Sequence, residues 1–138
     1  MTIRPFEAAD EPAVIELWRR CDLLRPQNDP HKDIQRKLRV QPHMFLVAVV
    51  DGVGGSVMAG YEGHRGWLNY VAVAPEHRTR GIGRALIDEA ERLLREAGCP
   101  KINLQVRASN RAAVDFYRAI GFALTDDVVS MGKRLEQD

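Results

Sequence analysis

Three apolar, β-branched segments follow one another between residues 45 and 73 with only short turns between them. Asp51-Gly52 separates the first from the second, and the polar run from Glu62 to Gly66 separates the second from the third. Parallel strands need a crossover of about a dozen residues, so strands over 45–50, 56–61 and 67–73 must be antiparallel. The chain is therefore constrained to build its core against an antiparallel sheet.

Helical periodicity flanks these strands on both sides. Residues 81–97 carry apolar side chains on one stripe, and Gly98 and Pro100 then end the predicted helix. Shorter helices are predicted after Asp10, over 32–39 and after Asn110, and further strands over 3–7, 101–106, 122–124 and 128–134. The order β-α-α-β-β-β-α-β-α-β-β predicts a single mixed α/β domain over residues 1–138.

The composition excludes several classes of protein. Lys and Arg number 20 against 19 Asp and Glu, and a net charge of +1 gives no support to nucleic-acid binding. No apolar run approaches the ~18 residues that span a membrane, and the N-terminus has no signal-peptide core. Two cysteines cannot form a disulfide framework, and the four histidines lack metal-site spacing. We expect a cytoplasmic protein with no membrane, nucleic-acid or metal partner.

The loop before the long helix is the most informative segment, and it has the sequence Arg78-Thr79-Arg80-Gly81-Ile82-Gly83-Arg84. The first turn of a helix has unpaired N–H groups and the positive end of the dipole. Glycines let a phosphate approach those amides, and arginines add positive charge. The loop therefore indicates a phosphate or pyrophosphate cradle, with a tight turn carrying solvated arginines as the alternative.

Two better-known phosphate loops do not match this segment. A Walker loop needs Gly-Lys-Ser/Thr, whereas Gly83 is followed by Arg84-Ala85. A dinucleotide fingerprint needs a third glycine where Leu86 stands, and an acidic residue that is missing from the next predicted strand. A nucleotide-binding domain of either kind is therefore disfavoured.

The pattern Arg-x-x-Gly-x-Gly between a strand and a long helix resembles the acetyl-coenzyme A loop of the GNAT N-acetyltransferases. The downstream run from Asn110 to Phe122 (Asn-x-x-Ala-x-x-Phe-Tyr-x-x-x-Gly-Phe) resembles the next motif of that family. Residues 21–30, 63–66 and 132–135 make the chain most similar to the YpeA-type acetyltransferases within the family. The resemblance implies the GNAT fold, with a central mixed, mostly antiparallel twisted sheet of about seven strands flanked by about four helices.

The resemblance also implies an activity. The enzyme would transfer an acetyl group from the co-substrate acetyl-CoA to a primary amine, by direct attack in a ternary complex. The residues implied to bind acetyl-CoA are Val71, Ala72, Val73, Arg78, Thr79, Arg80, Gly81, Ile82, Gly83, Arg84, Asn110 and Tyr117. A backbone N–H at Val71 would stabilise the oxyanion, and Tyr117 would act as general acid for the leaving thiolate.

The general base and the acceptor site are less clearly marked. Related alanine acetyltransferases carry a glutamate where this chain has Gln105, and a neutral amide cannot act as a base. Glu62, at the end of the predicted strand 56–61, is the candidate catalytic carboxylate, with an ordinary turn acid as the alternative. Asp29 and Arg25 are the candidate acceptor-binding residues, for an amine and a carboxylate respectively, and loop capping is their alternative. His77 is expected to be a solvent-exposed loop residue.

Two questions stay open at this point. A non-catalytic domain that binds acetyl-CoA as a sensor is the alternative to the enzyme, and Tyr117→Phe distinguishes them through turnover and cofactor binding. A homodimer that pairs through the strand 128–134 is also left open. The sequence does not identify the acceptor, which can be a small molecule or a peptide.

Overall fold

A sheet of five strands in the order β1-β2-β3-β4-β5 organises the first 104 residues. The computed structural model describes all 138 residues and divides them into two compact units, Met1–Leu104 and Gln105–Asp138. The strands are β1 (Thr2–Pro5), β2 (Phe45–Val49), β3 (Val53–Tyr61), β4 (Gly66–Val73) and β5 (Ile102–Leu104). Strands β1 to β4 are antiparallel, and β5 joins β4 in parallel, which confirms the mixed sheet.

The antiparallel meander follows the sequence prediction closely. Between β2 and β3, Asp51 has φ 52° and Gly52 has φ 86°. Val49 pairs with Val53, so the connection has three residues, and the register shifts between Ala48 and Val49. Val50 donates its N–H to the carbonyl oxygen of Gly52 at 2.7 Å. The turn therefore fixes how β2 and β3 pair.

The helices are α1 (Glu11–Arg20), α2 (Pro30–Lys37), α3 (Ile82–Glu96) and α4 (Arg111–Ala119), and α4 belongs to the second unit. Helix α2 begins two residues earlier than predicted, because Asp29 accepts a hydrogen bond from the backbone of His31 at 2.9 Å. Asp10 stands at the N-cap of α1 but does not cap it with its side chain. Its carboxylate instead pairs with Arg4 and accepts the backbone N–H of Glu7.

The two faces of the sheet pack against different helices. Trp18 of α1 and Ile34 of α2 join Phe45 and Met58 in one buried cluster. On the other face, a Cβ at Gly55 would lie 2.9 Å from Leu86 of α3. Any larger residue at position 55 would therefore push α3 away from the sheet.

Strand β4 contains a bulge at Tyr70, which has φ 50°. Met58 pairs with Asn69 and Ser56 pairs with Ala72, so one residue of β3 faces two residues of β4. Positive φ is strained for an aromatic residue, so the surrounding packing must hold it in place.

Three contacts hold this bulge. The ring of Tyr70 stacks on Trp18 with ring centroids 3.7 Å apart. The buried hydroxyl of Ser56 accepts from Trp18 Nε1 at 2.9 Å and donates to the carbonyl oxygen of Tyr70 at 2.8 Å. The phenol of Tyr70 donates to Asp33 of α2 at 2.7 Å. Helices α1 and α2 are thus both anchored to the bulge.

The second unit differs from the prediction after α4. The predicted closing strands over 122–124 and 128–134 are absent, so the sheet has five strands and not about seven. Val129 and Met131 are 85% and 91% exposed, and the backbone around them pairs with no strand. A segment with β propensity forms a strand only when it has an edge to pair with, and residues 122–134 have none here.

None of the helices combines the length and the apolar character that crossing a membrane requires. The longest, α3, has 15 residues and carries charged residues on its outer face.

Replacing Ser56 with alanine is expected to destabilise the first unit. The substitution leaves the buried Trp18 N–H without an acceptor and the Tyr70 carbonyl without a donor. An unsatisfied buried polar group costs about 1–3 kcal/mol, so the free energy of unfolding should fall by that amount in urea denaturation. Ser109→Ala, at an exposed position, is the matched control. Equal midpoints for the two variants would show that the bulge does not depend on this hydroxyl.

Candidate active site

Helix α3 begins at the predicted phosphate loop, and its first turn has no side-chain cap. Gly81 occupies the N-cap position with φ 80°, and Thr79 also has positive φ, at 68°. The first helical bond runs from Ala85 N–H to Gly81 at 3.0 Å. The N–H groups before Ala85 therefore have no acceptor within the helix, and left-handed residues beside a helix start form the concave backbone that binds anions.

The three arginines of the loop are exposed, and each also has a partner within the protein. Arg78 donates from Nε to the carbonyl oxygen of Val73 at 3.1 Å, which ties the loop to the end of β4. Arg84 lies 3.2 Å from Asp88 one turn along α3. The loop therefore keeps positive charge at the surface of the helix start.

His77 is buried, at 8% exposure, and so the expectation of a solvent-exposed loop residue is wrong. Its ring lies against β3, where a Cβ at Gly54 would approach Cδ2 to 3.1 Å. Its Nδ1 lies 3.3 Å from the guanidinium of Arg80. His77 thus positions Arg80. The sequence feature that could have indicated the burial of His77 is Gly54, which has no side chain to occupy that space.

Strand β4 has an open edge beside this loop. Its pairing with β5 involves only Gly66, Trp67 and Leu68, and ends at Leu104. Ala72 and Val73 pair with β3 alone, and Val71 lies within the bulge. Backbone groups on the other side of this stretch are therefore available to an extended ligand, although the carbonyl oxygen of Val73 already accepts from Arg78 and from Cys21 Sγ.

Glu62 lies in the turn between β3 and β4 and is exposed. Its carboxylate accepts the backbone N–H of His64 at 2.6 Å and that of Arg65. The N–H groups of Arg65 and His64 lower the pKa of Glu62. A carboxylate that is hard to protonate is a weaker base, so the structure gives Glu62 a clear role in the turn.

The two predicted acceptor residues also have local roles. Asp29 caps α2 through His31, as described above. Arg25 donates from one guanidinium nitrogen to the carbonyl oxygens of Asp22 and Leu24, both at 2.9 Å. Acceptor binding by Arg25 and Asp29 stays a prediction.

The second unit carries Asn110 and Tyr117 on one helix. Asn110 caps α4 by accepting from the backbone of Ala113 at 3.2 Å. Tyr117 lies between Phe116 and Phe122, whose ring centroids are 5.2 and 5.6 Å away. Burial among these groups raises the pKa of Tyr117 to about 12, so the phenol stays protonated at any physiological pH.

Sequence reasoning missed the residues that shape β4. Tyr70 and its supports Trp18 and Asp33 gave no signal of a bulge, because a bulge centred on a non-glycine residue is invisible in the alternation of a strand. The one available clue was Ser56, whose hydroxyl lies in the apolar predicted strand 56–61. A buried hydroxyl needs a hydrogen-bond partner.

Comparison with known proteins agrees with this architecture. The acetyltransferase (GNAT) family matches residues 11–122. An acetyltransferase of Sodalis glossinidius (strain morsitans) is 52% identical over 139 aligned positions, which cover 100% of this chain and 98% of the relative. The chain therefore belongs to the GNAT acetyltransferase family.

Two solved structures show how far the fold is shared. Ard1 from Thermoplasma volcanium is 28% identical, with a TM-score of 0.76 over 91% of this chain and 84% of that one. AAC(6')-Iy in complex with the bisubstrate analogue CoA-S-monomethyl-acetylneamine is 23% identical, with a TM-score of 0.75 over 96% and 97%. The α/β GNAT fold predicted from the sequence is thus confirmed, with five strands in place of about seven.

The pKa of the Tyr117 phenol is expected to lie well above the value of about 10 that is usual for tyrosine. Burial disfavours the phenolate, so the ¹³Cζ NMR signal of Tyr117 should have its titration midpoint near pH 12. Tyr117→Phe should remove that signal, and Tyr61→Phe should leave it in place. A Tyr117 midpoint near the usual value of about 10 would show that the ring is solvated.

Proposed function

We propose that this chain transfers an acetyl group from acetyl-CoA to a primary amine by direct attack. The observation that carries the proposal is the open edge of β4 leading into an uncapped helix start at Gly81. An extended thioester with a pyrophosphate at one end needs such a pair of backbone surfaces. Bound acetyl-CoA supplies the activated acetyl group, and the protein supplies orientation and hydrogen bonds.

The first turn of α3 is proposed to hold the pyrophosphate. The N–H groups of Ile82, Gly83 and Arg84 donate to it, and Arg80 adds a charge-assisted hydrogen bond. Val71, Ala72 and Val73 are proposed to pair with the pantetheine arm, with an N–H at Val71 facing the thioester oxygen. Asn110 is proposed to contact the same arm through its side-chain amide nitrogen, because its Oδ1 caps α4.

Tyr117 is proposed to serve the leaving thiolate. A phenol with a pKa near 12 is a poor donor of a whole proton to a thiolate whose acid has a pKa of about 8.5. It remains a good hydrogen-bond donor, because it is always protonated. Tyr117 therefore lowers the barrier mainly by stabilising negative charge on sulfur as the C–S bond breaks.

The acceptor amine must lose a proton before it attacks. Glu62 is the proposed base, and its lowered pKa makes it a weak one. The neutral amine therefore forms largely by ordinary dissociation, whose extent rises with pH toward the pKa of the acceptor. After attack the nitrogen carries one extra proton, which passes to water as the C–S bond breaks and the thiolate leaves. That value is about 8 for an α-amine and about 10.4 for lysine.

Acetyl-CoA is expected to stabilise the protein against heat, and ATP is not. At about 100 times the dissociation constant, a ligand adds roughly 2.7 kcal/mol, which raises the Tm of a domain this size by several degrees. Arg80→Ala should weaken acetyl-CoA binding about three- to tenfold through loss of one exposed charge-assisted bond.

Arg92→Ala is the matched control, because Arg92 lies on the same helix and pairs with Glu89 and Glu96 away from the loop. If neither acetyl-CoA nor ATP raises the Tm, the proposed pyrophosphate cradle is contradicted. A larger shift with ATP would point to a different nucleotide ligand.

Tyr117→Phe is expected to lower kcat about 100-fold while leaving the Kd of acetyl-CoA within twofold, because only the hydrogen bond to sulfur is lost. The measurement is release of free thiol with an amine acceptor, alongside calorimetric binding. Tyr61→Phe controls for the loss of a hydroxyl, since that group donates only to the backbone of Gly63. Unchanged kcat in Tyr117→Phe would remove Tyr117 from the mechanism.

A further inference from the structure

Lys37 is a half-buried cation with no acidic partner. It ends α2, and its ammonium lies against β3, where a Cβ at Gly60 would be only 3.3 Å from Nζ. Burial alone lowers the pKa of Lys37 to about 8, and no carboxylate contributes. Charges withdrawn from water are normally paired, so this ammonium is a place where an anion would be stabilised.

A polar group that also lies close to the Gly60 position, Gln41, is already committed to β3. Gln41 donates from Nε2 to the carbonyl oxygen of Tyr61 at 3.0 Å and accepts the Tyr61 N–H at 2.8 Å. Both ends of its amide are therefore bound to the backbone of β3. Gln41 is neutral, so it does not balance the charge of Lys37.

The face of the sheet in front of Lys37 is exposed and partly apolar. Gly60 pairs directly with Trp67 of β4, so their Cβ positions lie about 5 Å apart on one face. Trp67 is 37% exposed, and Asn69, two residues further along the same face, is also exposed. Lys37, Gly60, Trp67 and Asn69 together form a surface that we name the Lys37 face.

The Lys37 face leads along β4 to the bulge. Tyr70 and Val71 together face Val57 of β3, three residues from the partner of Trp67, so Val71 lies about 10 Å from Trp67 at ~3.3 Å per residue. The proposed function places the reacting thioester beside Val71, so an acceptor reaching from there to Lys37 spans about 10 Å or slightly more. Trp67 offers an apolar surface between the two ends.

We propose that the Lys37 face binds the acceptor, and that Lys37 receives a carboxylate located about 10 Å from the amine that is acetylated. This inference depends on the proposed function for the position of the amine. A peptide whose third residue is glutamate has the required reach. A polycationic amine would instead place like charge against Lys37 and bind poorly.

Two tripeptide amides test this substrate class, Ala-Ala-Glu-amide and Ala-Ala-Gln-amide, which differ in one carboxylate. The wild-type enzyme should show about tenfold higher kcat/KM for the glutamate peptide, through a lower KM, because one ion pair with a desolvated lysine is gained. Lys37→Gln should abolish the preference, and Lys37→Arg should retain much of it. Lys32→Gln, at an exposed position of the same helix, should leave it unchanged.

A binding measurement separates failure of this inference from failure of the proposed function. The ¹³Cε signal of Lys37, assigned by its loss in Lys37→Gln, should shift on addition of the glutamate peptide and stay in place with the glutamine peptide. Without that shift, or with equal kcat/KM for both peptides, the carboxylate site at Lys37 is overturned. A shift without acetylation of either peptide would support the carboxylate site and overturn its role in placing a peptide amine for acetylation. Failure of the proposed function itself would show separately, as the absence of acetyl-CoA binding.

Discussion

The positive φ of Tyr70 is the constraint on which the rest of the first unit depends. A strained backbone of this kind costs on the order of 1–3 kcal/mol and persists only where packing over-determines it. Here three groups contact Tyr70. They are the indole ring of Trp18 from α1, the buried hydroxyl of Ser56 from β3 and the carboxylate of Asp33 from α2. The bulge turns β4 where its pairing with β5 has ended, so the same residue that carries the strain borders the open edge.

The site divides its tasks between backbone and side chains. The open edge of β4 and the start of α3 offer peptide groups, which are the same in any sequence that folds this way. In the proposed function, selectivity for the acceptor comes from side chains, and Lys37 of α2 and the exposed Trp67 of β4 are the proposed ones.

Local signals in the sequence were sufficient for much of the fold. The Asp51-Gly52 turn, the span of α3 and the motif from Arg78 to Arg84 all depend on residues close together in the chain. The features that sequence reasoning missed depend on distant partners. Tyr70 bulges because Trp18 stacks on it, His77 is buried because Gly54 has no side chain, and Lys37 is desolvated against Gly60. The prediction of closing strands over 122–134 was wrong for the same reason, because a strand forms only where this segment has a sheet edge to pair with.

The missing cap of α3 has a consequence for folding as well as for binding. A helix without a capping side chain frays at its first turn, so backbone hydrogens there should exchange with solvent far faster than those in the middle of α3. An anion at Gly81 would supply the acceptors that the chain itself lacks. The ligand would then complete the secondary structure of its own site, and the length of the ordered helix would depend on whether the enzyme is loaded.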